Sequence, residues 1–180
     1  MTSLRLFSAS LAFASIAGAS QLHAQAAKPA PKLDDPTIVA IFDYANTWDM
    51  ETGGMAMKKG STKEIRDFGK MLSNDHKTVR KQGRDLAKKL KVKPTPPKNF
   101  GMTADHRAAV KQLKALKGKA FDRAFLEHEV AYHKAVLDAV TNTLLPALQN
   151  QEVKDLVNKV APAFNAHMVA AQNMLDKLPK

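Results

Sequence analysis

The sequence predicts an all-α protein: an up-down-up-down four-helix bundle with a short extra helix between the second and third long helices. Three observations predict it. Apolar residues recur at steps of three and four through nearly the whole chain past residue 35. No stretch there alternates polar and apolar residues as a half-buried strand would. Capping residues, glycines and prolines divide the pattern into four long segments and one short one.

The chain begins "MTSLRLFSASLAFASIAGASQLHAQAAKPAPK", which has the three parts of a secretory signal. Arg5 supplies the positive region, Leu6 to about Ala19 the apolar region, and Ala24-Gln25-Ala26 the cleavage motif. A cut before Ala27 removes residues 1–26, and the apolar run falls short of the ~20 residues a spanning helix needs. Residues 27–35, rich in Pro, Lys and Ala, read as an extended tether, and residues 36–180 as one bundle domain. Such a product is expected in the periplasm, with outer-membrane association open and no transmembrane segment after cleavage.

The first helix starts at Asp35-Pro36, a cap followed by proline at the first helical position, and runs to about Lys59. Gly53-Gly54 weakens its last turns and Gly60 ends it. Its inward row is Ile38, Phe42, Ala45, Asp49, Thr52 and Ala56. Ser61-Thr62-Lys63-Glu64 has the form of a capping box and opens the second helix. Its stripe is Ile65, Phe68, Leu72, His76, Val79, Gly83, Leu86 and Leu90, followed by the loop "KVKPTPPKNFG".

The short helix runs from Thr103, its cap, to Leu116, and Gly118 ends it. "DHRAAVKQ" within it echoes "DHKTVRKQ" in the second helix, but His106 falls in a first turn where exposure is expected. The third long helix covers about Lys119 to Leu148, with Pro146 bending or ending it. Its stripe is Leu126, Val130, His133, Leu137, Val140, Leu144 and Leu148. The fourth begins at Asn150 with Glu152 in its first turn, and Pro162 predicts a kink. Its stripe is Val153, Leu156, Val160, Phe164, His167, Ala171, Met174 and Leu178.

Histidines therefore stand on the apolar stripes of three helices. Counted from the two short links, at Gly60 and Asn150, His76, His133 and His167 all lie roughly 22–26 Å along their helices. Asp49 reaches the same region from the first helix, and Glu129 lies one turn from His133. Buried imidazoles without partners cost ~1–3 kcal/mol each, so the layer calls for a shared guest or a polar network. One divalent transition metal (Cu, Zn or Fe), ordered water, or a carboxylate network would serve. Met71 and Met168 flank the layer in sequence and read as flexible core filler. Buried neutral imidazoles also predict stability falling as pH drops from about 7 to 5.

Composition bounds the rest. There is no cysteine, which excludes disulfides and thiolate chemistry. The net charge of +11 comes from lysines spread along helix faces. Such a surface suits anionic envelope components, whereas 6% aromatic residues and no recognition motif argue against specific nucleic-acid binding. No nucleophile–base spacing, Gly-rich phosphate loop or nucleotide motif supports an enzyme. The alternative to a metal-binding bundle is a non-enzymatic structural or interaction module, including an envelope-stress role, with a hydrogen-bonded histidine layer.

The segments "NDHKTVRKQGRDLAKKLKV", "FDRAFLEHEVAYHKAVL" and "AFNAHMVAAQNML" resemble the exported bacterial family called domain of unknown function 4142. The likeness covers about residues 36–178 and rests on Asp75-His76, Phe121-Asp122, His133 and His167. It implies a ferritin-like four-helix bundle and no established activity. The family usually has Glu where this chain has Asp49. No Glu-x-x-His pair occurs, so the di-iron carboxylate site found in many bundles is not expected.

Overall fold

The computed structural model describes residues 33–98 and 100–179; the expected signal, residues 1–26, and most of the expected tether, residues 27–35, lie outside the described residues. The helices are α1 (Asp35–Lys59), α2 (Lys63–Lys89), α3 (Met102–Ala115), α4 (Gly118–Ala139), α5 (Leu145–Ala147) and α6 (Gln151–Asp176). A π-helical turn, Val140–Leu144, joins α4 to α5. No strand occurs among the described residues.

Local chemistry sets the helix starts, sometimes one residue from the expected place. Asp34, not Asp35, caps α1, accepting from the Thr37 N–H at 3.1 Å. Asp35 instead accepts the N–H groups of Gln149 (2.7 Å) and Asn150 (3.0 Å) with its two carboxylate oxygens. Thr62 caps α2, accepting from Ile65 N–H at 3.2 Å, so the capping box at Ser61 does not form. Ser61 donates its N–H (2.9 Å) and its hydroxyl to buried Asp122. Gly101, not Thr103, precedes α3. Gly118 does not end α3; it opens α4 with φ +56°, in the left-handed region glycine adopts readily. Asn150 caps α6 as expected, and α6 is helical on both sides of Pro162.

Gly53 and Gly69 pack α1 onto α2. A Cβ on Gly53 would stand 2.7 Å from the Gly69 carbonyl oxygen, and one on Gly69 would stand 2.6 Å from that of Gly53. Gly53 is thus a close-packing residue rather than a weak point in a fraying helix.

The helices form a bundle in which α1 lies along α2, α4 along α6, α1 beside α4 and α2 beside α6. The order of helix directions differs from the expected up-down-up-down. The start of α1 meets the α5–α6 link through Asp35, and the end of α2 meets the start of α6 through Lys89 and Glu152. At the other end, Ser61 meets Asp122 near the start of α4. The order is therefore up-down-down-up, with α2 and α4 parallel on a diagonal. Residues 90–117 make this possible, because α3 alone spans ~21 Å and carries the chain back along the bundle. The Lys59 ammonium holds the far end of α3, donating to the carbonyls of Leu113 (2.6 Å) and Lys114 (2.9 Å).

The core divides along the axis. Leu72, Phe121, Phe125 and Leu126 pack near the α1–α2 link. Ile38, Val39, Leu148, Val153 and Val157 fill the opposite end. Between them lies a buried polar layer.

Candidate metal centre

Four helices place the layer. Asn46, Asp49 and Thr52 come from α1, His76 from α2, Glu129 and His133 from α4, and His167 from α6. All are buried, with Glu129 at 0% and His167 at 4% exposure. The three imidazoles meet as the sequence predicts: their centroids are 5.5 Å (His76–His133), 5.2 Å (His76–His167) and 5.5 Å (His133–His167) apart. The common level survives the changed topology because each histidine lies well inside its helix, so the choice of end matters little.

Each ring is held at one nitrogen. Asn46 donates its amide N–H to the Phe42 carbonyl at 2.8 Å, leaving its Oδ1 to accept from His76 Nδ1 at 3.0 Å. His133 Nδ1 donates to the Glu129 carbonyl at 3.0 Å. His167 Nε2 donates to Asp75 Oδ2 at 3.0 Å. These acceptors set the tautomers. His76 Nε2, His133 Nε2 and His167 Nδ1 remain buried without a hydrogen-bond partner. One ring nitrogen from each histidine lies within 4.8 Å of the other two. Corners at that limit stand about 2.8 Å from their centre, against about 2.0–2.1 Å for a zinc–imidazole bond. A side-chain shift of under about 1 Å closes the shell. A cavity of about 30 Å³ reaches His76, His133, Asp49 and Asn46, room for one water-sized guest.

Carboxylates stand behind the rings. Asp49 Oδ2 is 3.4 Å from His76 Nδ1, and Glu129 Oε2 is 3.5 Å from His133 Nδ1. With Asp75 behind His167, every ring has an acid on its anchored side, the arrangement that orients metal-binding imidazoles. Asp49 and Glu129 also form a second close group with His133, their donor atoms within 4.8 Å of one another. Asp49 Oδ1 and both Glu129 oxygens are buried without partners.

The electrostatics follow from burial. Desolvation, then the neighbouring His133 and His167, depress His76 to about 2. Desolvation and His167 lower His133 to about 4. His167 is lowered too, by burial, although Asp75 opposes the shift. Burial and the facing Glu129 raise Asp49 well above the carboxylate range, and burial pushes Glu129 up to about 7. Burial and the same two acids raise Tyr132, which donates to the Ala45 carbonyl at 3.3 Å. The layer at neutral pH is thus neutral imidazoles beside a carboxyl pair that keeps a proton.

Several neighbours were not visible as site residues in the sequence. Asn46 lies off the inward row chosen for α1. Asp75 pairs across to α6 rather than along its own helix, and Phe164 stacks on His76 at 5.1 Å. His106 is buried rather than exposed: its ring stacks on Trp48 at 5.1 Å and its Nε2 meets Glu51 at 3.0 Å. A first-turn histidine that meets a tryptophan on another helix is invisible to single-helix periodicity. Asp43 binds Arg80 (3.1 Å) and Arg84 (2.5 Å) outside the layer. Met71 is exposed and so is not core filler, while Met168 is half-buried.

The fold is that of a solved structure, a DUF305 fragment from Deinococcus radiodurans, at a TM-score of 0.68 and 15% identity. The match covers 79% of this chain and 95% of the other, and shows a shared ferritin-like helical fold. No curated protein matches. The family model described as Domain of unknown function (DUF4142) matches residues 20–174, so the chain belongs to that family.

Proposed function

We propose that the protein is an exported periplasmic bundle that binds a divalent transition metal ion (Cu, Zn or Fe) through His76, His133 and His167. One observation carries the reading: three neutral, buried imidazoles from three helices each keep a nitrogen with no partner, and one nitrogen from each falls within 4.8 Å of the others. Among the described residues nothing satisfies these lone pairs, and a metal ion would. Asp49, Glu129 and Asp75 orient the rings, and the acids supply counter-charge when the ion arrives. In this reading the layer binds and holds an ion. Export is supported by the signal pattern of residues 1–26. Among the described residues no helix is long and apolar enough to cross a membrane.

The test is elemental analysis and thermal unfolding of untagged protein with Cu(II), Zn(II) or Fe(II). Retained metal and a rise in melting temperature are expected, and His76→Ala/His167→Ala is expected to retain one equivalent less and to show a smaller rise. Absence of bound metal together with an unchanged melting temperature would leave the layer as a hydrogen-bonded structural element. Fractionation of cells expressing the full chain checks the compartment, with the processed protein expected in the periplasmic fraction.

A further inference from the structure

Asp49 and Glu129 are carried by different helices yet face each other in the core, at 3% and 0% exposure. Among the described residues, three of their four oxygens have no hydrogen-bond partner: Asp49 Oδ1, Glu129 Oε1 and Glu129 Oε2. The groups facing them are Thr52, His76, His133 and Tyr132, none of which is a fixed cation. Two carboxyl groups so placed either share a proton or hold a metal ion between them. The imidazole beside them, His133, also belongs to the histidine triad, and one face of each donor set is therefore the same ring.

We propose that Asp49, Glu129 and His133 form a second cation site next to the histidine centre, the two ions sharing His133. The donor sets differ in kind. The first offers three imidazoles and suits Cu or Zn; the second offers carboxylate oxygens and one nitrogen and suits a harder ion such as Mn(II) or Fe(II). Loading the second site releases the proton kept by the carboxyl pair. Sharing the ring releases another from His133 Nδ1, which gives up its bond to the Glu129 carbonyl. Both protons leave to solvent, and no redox change is involved. The proposal builds on the histidine reading for the shared ligand, but its oxygen donors are separate.

The experiment is metal stoichiometry of the untagged full chain, equilibrated with Zn(II), Cu(II) or Mn(II). Two equivalents of Zn(II) or Cu(II) are expected in the wild type and one in Asp49→Asn/Glu129→Gln. One equivalent, by preference Mn(II), is expected in His76→Ala/His167→Ala. Circular dichroism confirms that the variants fold, and Asp49→Asn and Glu129→Gln are measured singly should the pair fail to fold. A wild type that takes one equivalent, lost in the histidine variant and kept in the carboxylate variant, overturns this site and leaves the histidine centre standing. One equivalent lost only in the carboxylate variant does the reverse. With two Cu(II) bound, magnetic coupling that weakens the electron paramagnetic resonance signal is expected. Two full-intensity independent signals overturn the sharing of His133.

Discussion

Protons decide how the layer behaves at the residue scale. His76 and His133 are held far below their ordinary value, to about 2 and about 4. They take up protons on unfolding, so their contribution is present above about 6.5 and lost as pH falls from there. Glu129 is shifted the other way, to about 7, and Asp49 is also raised. The contribution of Glu129 is present at low pH, below the unfolded carboxylate value, and lost as pH rises through about 7, and that of Asp49 is likewise lost as pH rises. The two slopes oppose, each near 1.4 kcal/mol per proton per pH unit at full effect. Stability of the chelator-treated wild type is therefore expected to change little between pH 7 and 5. Asp49→Asn/Glu129→Gln, with only the histidine slope left, should lose about 4 kcal/mol over that range. Urea unfolding at several pH values checks this, and parallel profiles for the two proteins would contradict it. The fall in stability expected from histidines alone is thus offset by acids whose facing partners the sequence does not display.

At the scale of the element, small features set the spacing of the helices. The α1–α2 crossing is close enough that either Gly53 or Gly69 would collide with the other's backbone if it carried a Cβ. Gly69→Ala would drive Ala56 and the Gly53 carbonyl away by several tenths of an ångström, shifting the helix that carries Asp49 relative to the one that carries His76. A loss of about 1–3 kcal/mol is expected, read by chemical denaturation. Gly54→Ala, whose Cβ would meet nothing within 4 Å, is the control and should be neutral or slightly stabilising. The π turn at Val140–Leu144 has a similarly local cause. Pro146 has no N–H for the Asn142 carbonyl and its ring crowds that position, and Leu145 N–H reaches back to Val140 O, five residues away. The proline placed this irregularity in the sequence, but its width required the packing of neighbouring helices.

Across the whole molecule, the four long helices and the histidine layer were legible because burial imposes a strict period and histidine interrupts it. The order of directions was not, because the length of the α2–α4 connection allows both a return beside α2 and a crossing along the bundle. The contacts of Asp35 with residues 149 and 150, and of Ser61 with Asp122, settle the crossing, and none has a sequence signature. Asp75 and Asn46 were hidden for the same reason: their partners lie on other helices. Net charge is the other property of this scale. With +11 spread over helix faces, binding to vesicles containing anionic phospholipid is expected to weaken steeply between about 0.05 and 0.5 M salt. Co-sedimentation measures it, and salt-insensitive or absent binding would remove electrostatic attraction to the envelope surface from the picture.

Trp48, the single tryptophan of the chain, is 7% exposed and lies against Tyr44, Phe100, His106 and Tyr132, one residue before Asp49. The indole emission of the protein therefore originates from a single point at the edge of the polar layer. Arrival of a quenching ion such as Cu(II) can be followed there by light alone, without a dye or a tag.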